Sequence, residues 1–177
     1  AIGHKAGWGN TTGASNVAVG NNALRSDGAK SYNVAVGQSA LYSNTTACYN
    51  TAVGSCTLYA NTTASYNTGI GWHSLVSNTC GADNTAVGAC SLRSNTTSSW
   101  NAAFGRNSLY SNTTGNSNTG LGGFTLQSNT TGTSNVATGL NSTKYNTSGN
   151  YNSAFGTNSL YTNTTGTYNA AVSYTHL

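Results

Sequence analysis

Proline occurs nowhere in the 177 residues, methionine occurs nowhere, and the acidic side chains are Asp27 and Asp83 alone. Each gap excludes something. Without proline, no position lacks a main-chain N–H, so every residue can donate to a hydrogen-bond ladder. Two carboxylates far apart in the chain form no acid–base pair, and His4, His73 and His176 complete no nucleophilic triad with them, which argues against an enzyme. No pattern for a cofactor is present either. Only 5% of the residues are charged, against about 25% in an ordinary soluble domain. The net charge is +4, but Lys5, Arg25, Lys30, Arg93, Arg106 and Lys144 are scattered along the chain. No basic stripe is expected, and nucleic acid is not expected as a partner. Apolar runs of signal-peptide or membrane-spanning length are also missing.

What the chain does have is repetition. An Asn heading the same pentad recurs at Asn16, Asn33, Asn50, Asn67, Asn84, Asn101, Asn118, Asn135, Asn152 and Asn169, every 17 residues without an insertion. With that Asn as position 1, the unit reads N-T-A-V-G-x-N-S-L-Y-S-N-T-T-G-x-Y, and a fixed short period marks a solenoid or array. Position 4 is apolar in Val53, Ile70, Val87 and Phe104, and position 9 is Leu in Leu58, Leu75, Leu92 and Leu109. The unit that loses one column loses the other, at Thr138 and Thr143. These two columns are therefore expected to face each other inside a narrow coil. Two short strands and two turns, the turns supplied by Gly at position 5 and N-T-T-G at positions 12 to 15, make one rung. Asn, Thr, Ser and Gly are weak helix formers, so helical hairpins are a poor alternative. The fold expected is all-β: a parallel β-solenoid, a β-roll or β-helix, of about ten 17-residue coils over residues 1–171. The chain opens at coil position 3, as a piece of a longer one would. Residues 172–177, "VSYTHL", break the unit and read as the translation of a sequencing adapter, a non-native tail.

The stretch "NVAVGQSALYSNTTACYNTAVG", residues 33–54, resembles the head repeats of YadA-type trimeric autotransporter adhesins, and also the arrays of phage tail fibres and metagenomic surface-fibre proteins. The resemblance implies a left-handed β-roll, three chains side by side, and a place outside the cell or on a virion. The adhesin units run shorter than 17 residues.

Several residues could carry chemistry. Cys48 and Cys56 are 8 apart, Cys80 and Cys90 are 10 apart, and each pair runs from position 14 or 16 to position 7 of the next unit. Disulfides Cys48–Cys56 and Cys80–Cys90, stapling consecutive coils, are the favoured reading and imply an oxidising compartment. Free thiols are an alternative. A metal column of Cys56, His73 and Cys90 at position 7 is another, weakened by the ~9.6 Å between its outer members and the lack of a fourth ligand. The pattern N-x-[ST] at Asn10, Asn44, Asn61, Asn95, Asn112, Asn129, Asn146 and Asn163 reads either as N-glycan acceptors on one edge or as plain turn chemistry. Aromatic columns stand at position 10 (Tyr42, Tyr59, Tyr110, Tyr161) and position 17 (Tyr32, Tyr49, Tyr66, Trp100, Tyr151, Tyr168), ready to stack on sugars, on another chain or on one another.

The function these features suggest is structural: an extracellular fibre, or an adhesin or tail-fibre shaft segment. It self-associates laterally into filaments, with the small residue at position 3 allowing close approach, and contacts glycans or a host surface. The alternative is an ice- or carbohydrate-binding solenoid.

Overall fold

A computed structural model describes residues 1–26, 28 and 31–173. Among them there is no helix, and ten short strands form one sheet in sequence order. They are β1 (Val17–Val19), β2 (Val34–Val36), β3 (Thr51–Val53), β4 (Thr68–Ile70), β5 (Thr85–Val87), β6 (Ala102–Phe104), β7 (Thr119–Leu121), β8 (Val136–Thr138), β9 (Ser153–Phe155) and β10 (Ala170–Ala171). Every neighbouring pair is parallel, and each residue stands on the one 17 positions later, as Thr51 on Thr68 and Ala52 on Gly69. The chain is a β-solenoid, as its period predicts. Of the residues read as an adapter-derived tail, Val172 and Ser173 continue the last coil, and Tyr174–Leu177 lie outside the described residues.

Each coil contains one strand, where two were expected. Positions 6 to 11 form turns instead, because the backbone enters the left-handed region at positions 7, 9 and 17, as at Cys56 (φ 55°), Leu58 (φ 51°) and Tyr66 (φ 62°). That region costs an L-residue about 1–2 kcal/mol. Hydrogen bonds to both neighbouring coils hold it in place: Cys56 N–H donates to Gln38 O at 2.9 Å, and Leu58 N–H to Ser74 O at 3.0 Å. The Gly at position 5 ends each of β1 to β9 with φ between 112° and 134°. A Cβ there would fall within 2.5 to 3.0 Å of the main chain one coil on, so only glycine lets the coils stack.

The core corrects the sequence reading on one point. In a strand, residues 2 and 4 share a face and residue 3 takes the other. Leu at position 9 is buried, including Leu58, Leu75, Leu92 and Leu109, but it packs on the small residue at position 3. Position 4 points outward: Val53 and Val87 are half-buried, and Ile70 and Phe104 are 40% and 41% exposed. A narrow coil with Leu on one wall has room only for Ala or Gly on the other. The close fit extends to position 8. A Cβ on Gly69 would meet Thr57 Cγ2 of the preceding coil at 2.6 Å, and one on Gly120 would clash with Ser108 Oγ and meet Thr125 Oγ1 at 2.7 Å. The small residues at position 3 are therefore interior, and they do not form the close-approach surface between copies.

Candidate functional site

The amide columns dominate the interior. At position 1, Asn50 N–H donates to Asn33 Oδ1 at 3.0 Å and Asn67 N–H to Asn50 Oδ1 at 2.9 Å, a pattern that runs on to Asn169. The Nδ2 of the same Asn donates to the carbonyl of position 15, as Asn50 does to Ala64 O at 2.9 Å. The position 12 column converges on that carbonyl: Asn61 Nδ2 also reaches Ala64 O at 2.9 Å. Two side chains thus clamp one carbonyl in most of the described coils and close the turn from inside; in the coil of Asn101, Asn112 alone holds Gly115 O, and Asn101 Nδ2 reaches Ser98 Oγ and Ser99 O instead.

This clamp decides against the sequons as glycan sites on the folded chain. A glycan would attach to Nδ2, and that atom is a buried donor at Asn44, Asn61, Asn95, Asn112, Asn129 and Asn146. Asn10 and Asn163 are half-buried at the ends, and their Nδ2 atoms donate to Gly13 O and Gly166 O. The turn reading of N-T-T-G is the one the geometry supports. The Thr at position 13 contributes to it, as Thr79 Oγ1 donates to Thr96 O at 3.0 Å.

The four cysteines are free thiols rather than two disulfides. Each residue stacks on its own column 17 residues away, so position 16 does not approach position 7 of the next coil. Cys48 N–H donates to Ser65 Oγ in the position 16 column, and Cys56 N–H to Gln38 O beside the position 7 column. Cys80 is exposed at position 14. Hydrogen bonds from Thr63 and then Thr79 hold its thiol pKa below the usual value. Cys56, His73 and Cys90 share position 7, yet among the described residues no group of three His, Cys, Asp or Glu side chains is arranged to hold a metal ion. His73 instead stacks on Trp72 at 4.1 Å. Burial, and then the Arg93 charge, lower its pKa.

Two surfaces emerge that periodicity alone did not place. The outward face of the sheet carries Thr, Val, Ala or Ser at position 2 and, except at Thr138, an aliphatic or aromatic residue at position 4, with Ile70, Phe104, Leu121 and Phe155 each at least 40% exposed. It contains no charged residue. Tyr32, Tyr49 and Tyr66 stack along its edge at 5.0 and 5.2 Å. Across the core, on the turn segment, stand Lys5, Arg25, Arg93, Arg106 and Lys144, at positions 6, 7 and 10 of their coils. The cations are thus gathered on one side, although they look scattered in the sequence. Lys30 and Asp27 lie outside the described residues.

A cavity of about 460 Å³ opens at the last described coil beside Asn158, Leu160 and Asn169. No described helix is long and apolar enough to cross a membrane. No protein-family model, no curated protein and no solved structure matches the chain.

Proposed function

We propose that the chain is a shaft segment of an extracellular fibre, of the adhesin-head or tail-fibre kind, whose copies associate laterally through the outward face of the sheet. The observation that carries this reading is the uncharged strip formed by positions 2 and 4. Ten strands at ~4.8 Å make it about 43 Å long. An uncharged strip of that length, with a row of exposed apolar side chains along position 4, marks an interaction site more often than free surface. The in-register stack supports a length-giving role, because each further 17 residues adds ~4.8 Å with no change of outline.

Sedimentation and electron microscopy test the proposal, with the double variant Ile70→Lys/Phe104→Lys as control. Both side chains are outward, so the variant keeps the β circular dichroism spectrum, and charge repulsion across the strip leaves it monomeric while the parent forms larger particles. A compact parent monomer of 18.0 kDa at working concentration overturns the proposal. The ice-ordering alternative has less support. It needs two free rows of hydroxyls, and the position 13 row is engaged, with Thr62, Thr79, Thr96, Thr113 and Thr130 each donating to a carbonyl one coil on. Thermal hysteresis in solutions of the chain would restore it.

A further inference from the structure

The face across the core from the sheet is cationic, and its charges are held by rings. Arg93 lies 5.4 Å from the Tyr110 ring and donates to its hydroxyl at 3.0 Å. Arg106 lies 5.8 Å from the Phe124 ring. Lys144 is 5.5 Å from Phe124, 5.5 Å from Tyr145 and 5.9 Å from Tyr161. The same pairing occurs further up the stack, with Arg25 over Tyr42 at 5.2 Å and Lys5 over Trp8 at 5.8 Å. Contact with a ring restricts a long cationic side chain, so less freedom is lost when an anion binds. Asp83, the one acid among the described residues, sits at position 17 beside the strand and neutralises none of these cations.

We propose that this face, centred on Arg93, Arg106, Phe124, Lys144, Tyr145 and Tyr161, binds an acidic polysaccharide lying along the solenoid axis. The spacing selects the class of polyanion. Arg93 and Arg106 are on adjacent coils, and Arg106 and Lys144 are two coils apart, so cations follow one another every ~5 to 10 Å along the axis. Duplex DNA presents a charge every ~1.7 Å, and most of its phosphates would meet no partner here. A chain of uronic acids carries its carboxylates at sugar-sized intervals, which suits this sparse row. Its sugar faces also present apolar C–H surface to rings such as those of Tyr145 and Tyr161. Amides for its hydroxyls come from Asn107, Asn141 and Asn158 at position 7.

The inference goes beyond the shaft reading, since a single chain already presents the stack along which the ligand lies, and the test separates the two. Binding of polygalacturonate is measured by calorimetry on the parent and on Arg93→Gln/Arg106→Gln/Lys144→Gln, at low and at physiological salt. Sedimentation of the same samples records assembly. The triple variant is expected to lose affinity by roughly tenfold and to lose most of the salt dependence, while Arg106→Lys/Lys144→Arg retains both. Fully methyl-esterified polygalacturonate, which is neutral, is expected not to bind. Equal binding by the triple variant or by the neutral polymer overturns the inference, as does tighter binding of an oligodeoxynucleotide. Assembly without polygalacturonate binding overturns this inference and leaves the shaft reading standing. Binding by a monomer does the reverse.

Discussion

Thr143 is the one residue of the position 9 column that is not Leu among the complete coils from Asn16 to Tyr168. It is buried in the place of a Leu, with φ 51° against 48° and 49° at Leu126 and Leu160, and its hydroxyl has no hydrogen-bond partner. A buried unsatisfied hydroxyl costs about 1–3 kcal/mol. The neighbours of Thr143 in the column on both sides are the buried Leu126 and Leu160. Thr143→Leu should therefore stabilise the chain by about 1–3 kcal/mol and raise its melting temperature by several degrees, read by calorimetry. An unchanged or lower melting temperature would mean that the hydroxyl is satisfied after all. The joint change at Thr138 and Thr143 suggested two columns packed on each other. They are not in contact across the core, since position 4 faces outward, and nothing in the structure explains why both change in one coil.

At the scale of the strand, three residues are enough to decide what is inside. Alternation allows either position 3 alone or positions 2 and 4 together to face the core, and hydrophobicity favours position 4. Volume decides the other way, because a coil only one Leu deep cannot hold a second large side chain on the facing wall. A paired substitution checks this. Ala86→Val overfills the interior beside Ser74 and Ser91 and is expected to cost about 1–3 kcal/mol. Val87→Thr, one residue on, lies on the outer face and should stay within about 0.5 kcal/mol of the parent. Urea unfolding of both variants measures the difference, and the opposite order would place position 4 in the core. The amide clamps belong to the same scale. Asn at positions 1 and 12 reads as a turn residue or a sequon, but its use as an internal donor depends on the carbonyl of position 15 being brought between the two columns.

Across the whole molecule, each coil touches only its neighbours, so stability is a sum of coil and interface contributions. Opening is expected to run inward from the ends. Hydrogen exchange should find the amides of Thr85 and Gly88, which bond to Asn101 O and Ile70 O at 2.8 Å, more protected than those of Val17 and Ser153 with equivalent bonds nearer the ends. Uniform protection along the stack would show instead that it unfolds as a single cooperative unit.

The period alone determined the stack, the parallel order of its strands, the columns and the buried Leu row, because a 17-residue repeat without insertions leaves no other register in which like residues superpose. The left-handed residues at positions 9 and 17 left little mark in the sequence, since Leu and Tyr do not favour that region and adopt it only when adjacent coils bond the backbone, whereas the Asn frequent at position 7 (Asn22, Asn107, Asn141, Asn158) is a residue that tolerates it. Which of two apolar columns turns inward was a question of coil width, and width appears only when the turn closes. The cysteines and sequons were legible as patterns, and the reach of each side chain across the coil settled their chemistry. The cationic face was invisible for the same reason: positions 6, 7 and 10 lie on one side of the molecule only because the turn segment folds them there, across the core from the sheet.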